Sequence, residues 1–215
     1  MGGEGKKTNK YNLATNCIIL AGGKSSRLGS DKALATVGDK SLLRQVISCV
    51  DQLCEHIIIV TSQERTFPQF ADQTDLRTTT DTFPGKGPLG GIYTGLAISD
   101  SFYNLVVACD MPFLNQGLLR YMIELSADSD MVIPRLGNQV EPLHAVYTKN
   151  CLASIEHLIK QDKLNISELC SLVRVRYVEA EEIEGFDPMH LSFFNINTKA
   201  DLKKARELAG GDSEQ

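Results

Sequence analysis

The chain has 215 residues, 42% of them hydrophobic and 23% charged, enough apolar material to bury a substantial core as one domain. A formal net charge of -5, with no polybasic run to track a phosphate backbone, argues against nucleic acid as a partner. No apolar run nears membrane-spanning length and no signal-peptide core opens the chain, so a soluble, cytoplasmic protein with no membrane partner is expected.

In chain order, residues 1–15 are polar and rich in Gly, Lys and Asn, the composition of a flexible tail. Gly2 does not mark a myristoylation signal, because Lys6 stands where Ser or Thr is required. Residues 210–215 read as a second frayed tail, leaving 16–209 as a single domain. Within it, Cys17–Ala21 reads as a strand, Ser41–Cys54 as a helix, and His56–Thr61 and Leu76–Thr80 as strands. Leu89–Ile98 reads as a helix, Leu105–Cys109 as a strand and Gln116–Leu125 as a helix. Strands Met131–Pro134 and Leu143–Tyr147 precede helices Asn150–Gln161 and Ser167–Leu172. Strands Val173–Val178 and Phe193–Ile196 then lead to a helix at Thr198–Leu208, which Thr198 and Asp201 cap in the manner of a capping box. Cys17–Ala21 and Leu105–Cys109 are nearly unbroken aliphatic runs, as central strands covered on both faces require. The alternation implies an α/β fold with a mostly parallel sheet, and ligands at the carboxyl ends of its strands. Cysteines 17, 49, 54, 109, 151 and 170 show no C-x-x-C pairing, a pattern of reduced thiols rather than of a disulfide frame or zinc knuckle.

Five stretches carry chemistry. The first, CIILAGGKSSRLGSDKAL, contains Gly23-Lys24-Ser25, but a P-loop needs a glycine at the place held by Ile18. Nor does GGKSSRLG supply the G-x-G-x-x-G spacing of a dinucleotide fingerprint. The ingredients of an anion site are present all the same. Gly22 and Gly23 expose backbone N–H groups, Ser25 and Ser26 add hydroxyls, and Arg27 and Lys32 add charge. The bland alternative is a strand-to-loop turn with solvated bases.

The second stretch, DTFPGKGPLGGIYTGL, places four glycines and two prolines in a constrained loop leading into a helix, with Asp81 at a strand end. Gly90 and Gly91 would let backbone approach a flat base, and the Asp81 carboxylate could accept the paired N–H donors of guanine. As a residue by itself, Asp81 reads first as an Asx-turn former. The third, NLVVACDMPFL, ends an aliphatic strand in Asp110, where one carboxylate together with substrate phosphate oxygens suffices for a hard Mg²⁺. The fourth, EPLHAVY, spaces Glu141 and His144 three apart on an expected strand, so that they face opposite ways, and His144 reads as a satisfied, half-buried histidine. The fifth, FFNINT, sets Asn195 and Asn197 on one face of an expected strand, able to meet phosphate, the polar edge of a ring or a metal's water shell, while Asn197 and Thr198 equally suit a helix cap.

The order L-A-G-G-x-S-x-R-x-G-x-D-K, from Leu20 to Lys32, resembles the signature of nucleotidyltransferases of the NTP-transferase fold, and most closely that of the molybdenum cofactor guanylyltransferases. G-P-L-x-G after Asp81, C-D-M-P-F-L, E-P-L-H and N-x-N-T follow in the same order, so the resemblance spans about Asn16 to Leu208. It implies a Rossmann-like three-layer α/β/α nucleotidyltransferase fold. It also implies transfer of GMP from Mg-GTP to molybdopterin, giving the guanine dinucleotide cofactor and pyrophosphate, with cofactor-insertion or molybdoenzyme chaperone proteins as possible partners. Catalytic roles fall on Lys32, Arg27 and Asp110, with Asp110 as the Mg²⁺ ligand. Binding roles fall on Leu20, Ala21, Gly22, Gly23, Ser25, Lys32, Asp81, Gly87, Gly91, Asp110, Asn195 and Asn197. Two departures stand out. Gly90 replaces the Ala usual in G-P-L-A-G, and Thr61-Ser62-Gln63 replaces a frequent Asn, leaving Ser62 as a candidate nucleotide contact. A molybdopterin cytidylyltransferase or a sugar-phosphate nucleotidyltransferase of the same fold, and a non-catalytic nucleotide-binding protein, are the alternatives; the related cytidylyltransferases carry L-A-A-G, with Ala where Gly22 stands here.

Overall fold

The two aliphatic runs lie side by side at the centre of the sheet. The structure, a computed structural model, describes residues 13–22, 32–64, 67, 70 and 75–211. Strand β1 (Thr15–Leu20) is buried along its whole length and pairs in parallel with β6 (Tyr103–Ala108), Cys17 opposite Leu105 and Leu20 opposite Ala108. On its other side β1 pairs in parallel with β4 (Ile57–Thr61), and β4 with β5 (Leu76–Thr80). Beyond β6 the direction changes. Strand β9 (His144–Thr148) runs antiparallel to β6 and to β7 (Met131–Leu136), and β10 (Val175–Glu179) closes that edge in parallel with β7. The order is β10-β7-β9-β6-β1-β4-β5, with short β8 (Gln139–Val140) folded back on β7. A separate two-stranded ribbon joins β2 (Thr36–Val37) to β3 (Lys40–Ser41).

Alternation along β1 explains the two helical layers. Cys17 and Ile19 face a core shared with α1 (Leu42–Val50) and α3 (Gln116–Glu124). Ile18 and Leu20 face a second core shared with α2 (Gly87–Ile98), α4 (Cys151–Lys160) and α5 (Ile166–Cys170). The short α6 (Ala180–Glu184), which sequence pattern did not mark, opens with a capping box between Glu179 and Glu182. Helix α7 (Lys199–Gly211) follows the expected reciprocal cap: Thr198 N–H donates to Asp201 at 2.8 Å, and Asp201 N–H to the Thr198 hydroxyl at 3.1 Å.

One expected strand is absent. Leu191–Phe193 form a 3-10 turn, and Phe194–Asn197 leave it as extended coil. The cause lies upstream, where the buried Asp187 carboxylate accepts from Leu191 N–H at 3.0 Å and Ser192 N–H at 2.7 Å, winding the chain instead of extending it. All six cysteines are free thiols. Among the described residues no helix is long and apolar enough to cross a membrane.

Candidate functional site

Leu20 ends β1 between two neighbours: its carbonyl accepts from Cys109 N–H at 3.1 Å, and Ala21 N–H donates to the Val60 carbonyl at 2.8 Å. The chain is pressed so closely onto the exit of β4 that a Cβ on Gly22 would stand 2.8 Å from the Ser62 nitrogen. Position 22 therefore has to be glycine, and Ser62 lies against it. Gly23, Ser25 and Arg27 lie outside the described residues, and Lys32 enters as the first residue of a 3-10 turn, Lys32–Leu34.

Asp81 leaves β5 with its N–H on the Thr61 carbonyl at 2.7 Å. Its Oδ1 accepts from Phe83 N–H at 2.9 Å and lies 3.1 Å from the Thr94 hydroxyl of α2. The Asx-turn reading is thus correct in itself, and it leaves Oδ2 for other work. Helix α2 starts at Gly87 (φ +61°) with Pro88 next, a start at which the missing proline N–H costs nothing. A Cβ on Gly90 would meet the Phe83 carbonyl at 2.7 Å and both Asp81 oxygens at 3.1–3.2 Å, which explains glycine here in place of alanine. A Cβ on Gly91 would reach both Leu20 methyls at 3.1 Å. The approach of Gly91 to Leu20 seats the first turn of α2 against the end of β1.

Asp110 follows β6, half-buried at the same edge. Its carbonyl accepts from Ile196 N–H at 3.0 Å, tying the carboxylate's own residue to the Asn195–Asn197 segment. The fully buried Ile196 side chain packs with Val37, Leu42 and Ala205, so the two flanking asparagines sit either side of an anchor although no strand forms there. Asn195 Nδ2 donates to the Phe193 carbonyl at 3.2 Å.

Glu141 and His144 part company. Glu141 lies in the turn before β9, where its carbonyl accepts from His144 N–H at 3.1 Å and burial pushes its carboxyl pKa up. His144 is fully buried rather than half-buried, and neither ring nitrogen bonds to any described residue. Burial depresses its pKa to about 4, against an opposing pull from Asp187, and its ring lies 4.8 Å from that of Phe193. Asp187 and the contact of Phe193 with His144 escaped sequence reasoning; Pro188 directly after Asp187 was the one available sign of a turn.

A carboxyl edge that gathers the exit of β1 at Gly22, a Gly-Pro helix start and one strand-end carboxylate is in keeping with an NTP transferase. The chain belongs to the MobA-like NTP transferase domain family, whose model matches residues 17–176. A protein of Pelotomaculum thermopropionicum, named a probable molybdenum cofactor guanylyltransferase, is 39% identical over 92% of this chain and 94% of its own. The molybdenum cofactor guanylyltransferase of Desulfosudis oleivorans is 34% identical over 89% and 94%. Among solved structures, molybdopterin-guanine dinucleotide biosynthesis protein A of Archaeoglobus fulgidus superposes with a TM-score of 0.78 at 27% identity, covering 91% of this chain and 99% of its own.

Proposed function

We propose that the protein is a molybdenum cofactor guanylyltransferase, moving GMP from GTP to the terminal phosphate of molybdopterin, with residues 16–209 as the transferase domain. The observation that carries this reading is the convergence of Leu20–Gly22, Asp81, Asp110 and the Ile196 anchor on one sheet edge through the Asp81–Thr61, Ala21–Val60, Leu20–Cys109 and Ile196–Asp110 backbone bonds. Relatives that bear that name over nearly the full length of both chains support it.

In this reading a phosphate oxygen of the acceptor attacks the α-phosphorus of GTP. A new P–O bond forms, the bond to the α–β bridging oxygen breaks, and pyrophosphate leaves with that electron pair. The attacking phosphate is already anionic near neutral pH, so no general base is required, and the protein's tasks reduce to positioning and charge neutralisation. Asp81 Oδ2 accepts from the guanine N–H edge, while Gly87 and Gly91 admit the base close to the backbone. The Leu20–Gly23 backbone, Ser25, Arg27 and Lys32 hold the triphosphate. The Asp110 carboxylate, a hard oxygen donor, would hold Mg²⁺ together with GTP phosphate oxygens, and Asn195 and Asn197 would face the metal's water shell or the incoming phosphate. When bound there, the ion would supply charge neutralisation on the phosphate oxygens.

Incubation with Mg-GTP and molybdopterin should yield pyrophosphate and a product heavier by one GMP unit, read by mass spectrometry. CTP, ATP and UTP should compete poorly. Efficient transfer from CTP, or onto a sugar phosphate, would replace the reading with another transferase of the same fold; absence of pyrophosphate with every acceptor would leave a nucleotide-binding protein.

A further inference from the structure

Strand β9 is antiparallel to both β6 and β7, and β10 is parallel to β7, so β6, β7 and β10 all point the same way. Their carboxyl ends therefore lie on the edge that carries Asp110. Beside the ends of β7 and β10 is an open cavity of about 810 Å³, lined among others by Arg135, Asn138, Cys170, Tyr177, Glu179 and Glu181. The cavity shares a face of the sheet with the base loop, because Tyr177 and Cys170 pack on the same core as Leu89 and Ile92 of α2. The base loop and the cavity thus flank the strand of Asp110 from opposite sides. β7 stands two strand spacings from β6, roughly 10 Å at about 4.8 Å per spacing.

The lining is built. The Arg135 guanidinium lies over the Tyr177 ring, 4.1 Å from its centroid. Two of its N–H groups clamp Glu179, the Nε bond being 3.1 Å long, and Glu179 is itself held as the capping residue of α6. The guanidinium is therefore fixed in plane before any ligand arrives, yet its side chain is still 40% exposed. A planar, weakly hydrated cation locked in this way is a stacking surface for a flat heterocycle. The exposed carboxylate of Glu181 and the amide of Asn138 line the same space. A carboxylate suits adjacent ring N–H and amino donors, and an amide suits a ring carbonyl.

From this arrangement we infer that the cavity at the ends of β7 and β10 is the seat of the acceptor's head group, a pterin, stacked on Arg135 with its amino-pyrimidinone edge on Glu181. Its phosphate arm then points along the edge toward Asp110. The inference rests on the transferase reading above. Guanine carries the same amino-pyrimidinone edge, but a guanine here would be a second nucleotide, remote from Asp81.

The test uses the full chain with 6-carboxypterin as a fluorescent probe, molybdopterin as acceptor, and GMP as competitor. Glu181→Gln removes the carboxylate charge, and Arg135→Lys keeps charge while losing the planar fork. Each variant should weaken pterin binding and raise the KM for molybdopterin about tenfold, the range for losing one charge-assisted hydrogen bond or stacking partner, with the Kd for GTP unmoved. Unchanged pterin Kd and acceptor KM in both variants, with unchanged melting temperatures, overturns the inference. So does displacement of the probe by GMP at its own Kd, which would mark a second guanine site. Failure of the transferase reading looks different: wild-type protein would bind the probe in a Glu181-dependent way and still form no dinucleotide.

Discussion

The two halves of the sheet are stiffened by opposite means. In the half built on β5, β4 and β1, side chains have been removed so that backbones touch. A Cβ on Gly22, Gly90 or Gly95 would stand 2.8 Å or less from Ser62, Phe83 or Ile18. In the half built on β9, β7 and β10, side chains are paired instead, Arg135 with Glu179, Arg174 with Asp130 and Arg176 with Glu182. Backbone contact leaves no freedom to lose when a ligand of fixed shape binds, whereas paired side chains hold position yet still present charge and planar faces. On the proposed function, the first half takes the nucleotide and the second a chemically distinct acceptor.

Asp110 sits on the seam, and its removal should be the largest single effect. Asp110→Ala is expected to lower turnover by about 10²–10³-fold while the Kd for GTP changes far less, because charge neutralisation matters most in the transition state. Its backbone bond to Ile196 survives the substitution, so the melting temperature serves as the control. Near-normal pyrophosphate release would remove Asp110 from the mechanism and leave the seam without a centre.

The second effect belongs to the acceptor half and is read in acid. His144 is held neutral by burial with a pKa of about 4, below the 6.5 of an exposed histidine. The unfolded chain therefore takes up a proton first as the pH falls. The stability linked to His144 is intact above about pH 6.5 and is lost progressively down to pH 4, a change on the order of 3 kcal/mol. Asp130 adds a later loss: Arg174 foremost, then Asn150, lowers its pKa to about 2, so its contribution falls away between about pH 4 and 2. Urea midpoints from pH 7 to pH 4 should drop for the native chain and flatten for His144→Phe. An equal slope in both would show that the histidine is not buried neutral.

The third tests the nucleotide half. Gly95→Ala places a Cβ 2.4 Å from Cγ2 of Ile18, a stiff, fully buried β-branched residue in the central strand. Overpacking of that kind outweighs the helix propensity gained and should cost about 2 kcal/mol, seen as a lower urea midpoint. A neutral or stabilising result would mean that the close approach of α2 to β1 is slack rather than tight.

Much of the nucleotide half was legible because its signals are local. Leu76–Thr80 begins and ends at the expected residues, and Asp81 and Asp110 stand at strand ends, the latter as an aliphatic run followed by Asp and Pro implies. The acceptor half was less so. Phe193–Ile196 alternates like a strand, but a carboxylate six residues upstream of Phe193, at Asp187, overrides that pattern by capturing two backbone N–H groups. Gly90 read as a departure until the fold set it against Phe83 and Asp81, a contact set by how α2 docks. The stack of Arg135 on Tyr177 joins residues from neighbouring strands of β7 and β10, so no window along the chain contains it.

Asp81 offers the finest cut, since it holds a turn and is assigned a base. Oδ1 already accepts from Phe83 N–H and faces the Thr94 hydroxyl, and Oδ2 takes no part in that turn. Asp81→Asn keeps a carbonyl oxygen for the turn and replaces the second oxygen with an amino group, which faces guanine's donors with another donor. The melting temperature should stay within a degree or two of wild type, in line with a turn left intact. The preference for GTP over ATP should fall about tenfold, the low end for losing a hydrogen bond to a charged group. Asp81→Ala would remove both functions at once and separate nothing. If Asp81→Asn leaves the GTP preference where it was, the turn is all that Asp81 contributes, and the base must be read from the backbone of the Gly87–Gly91 segment.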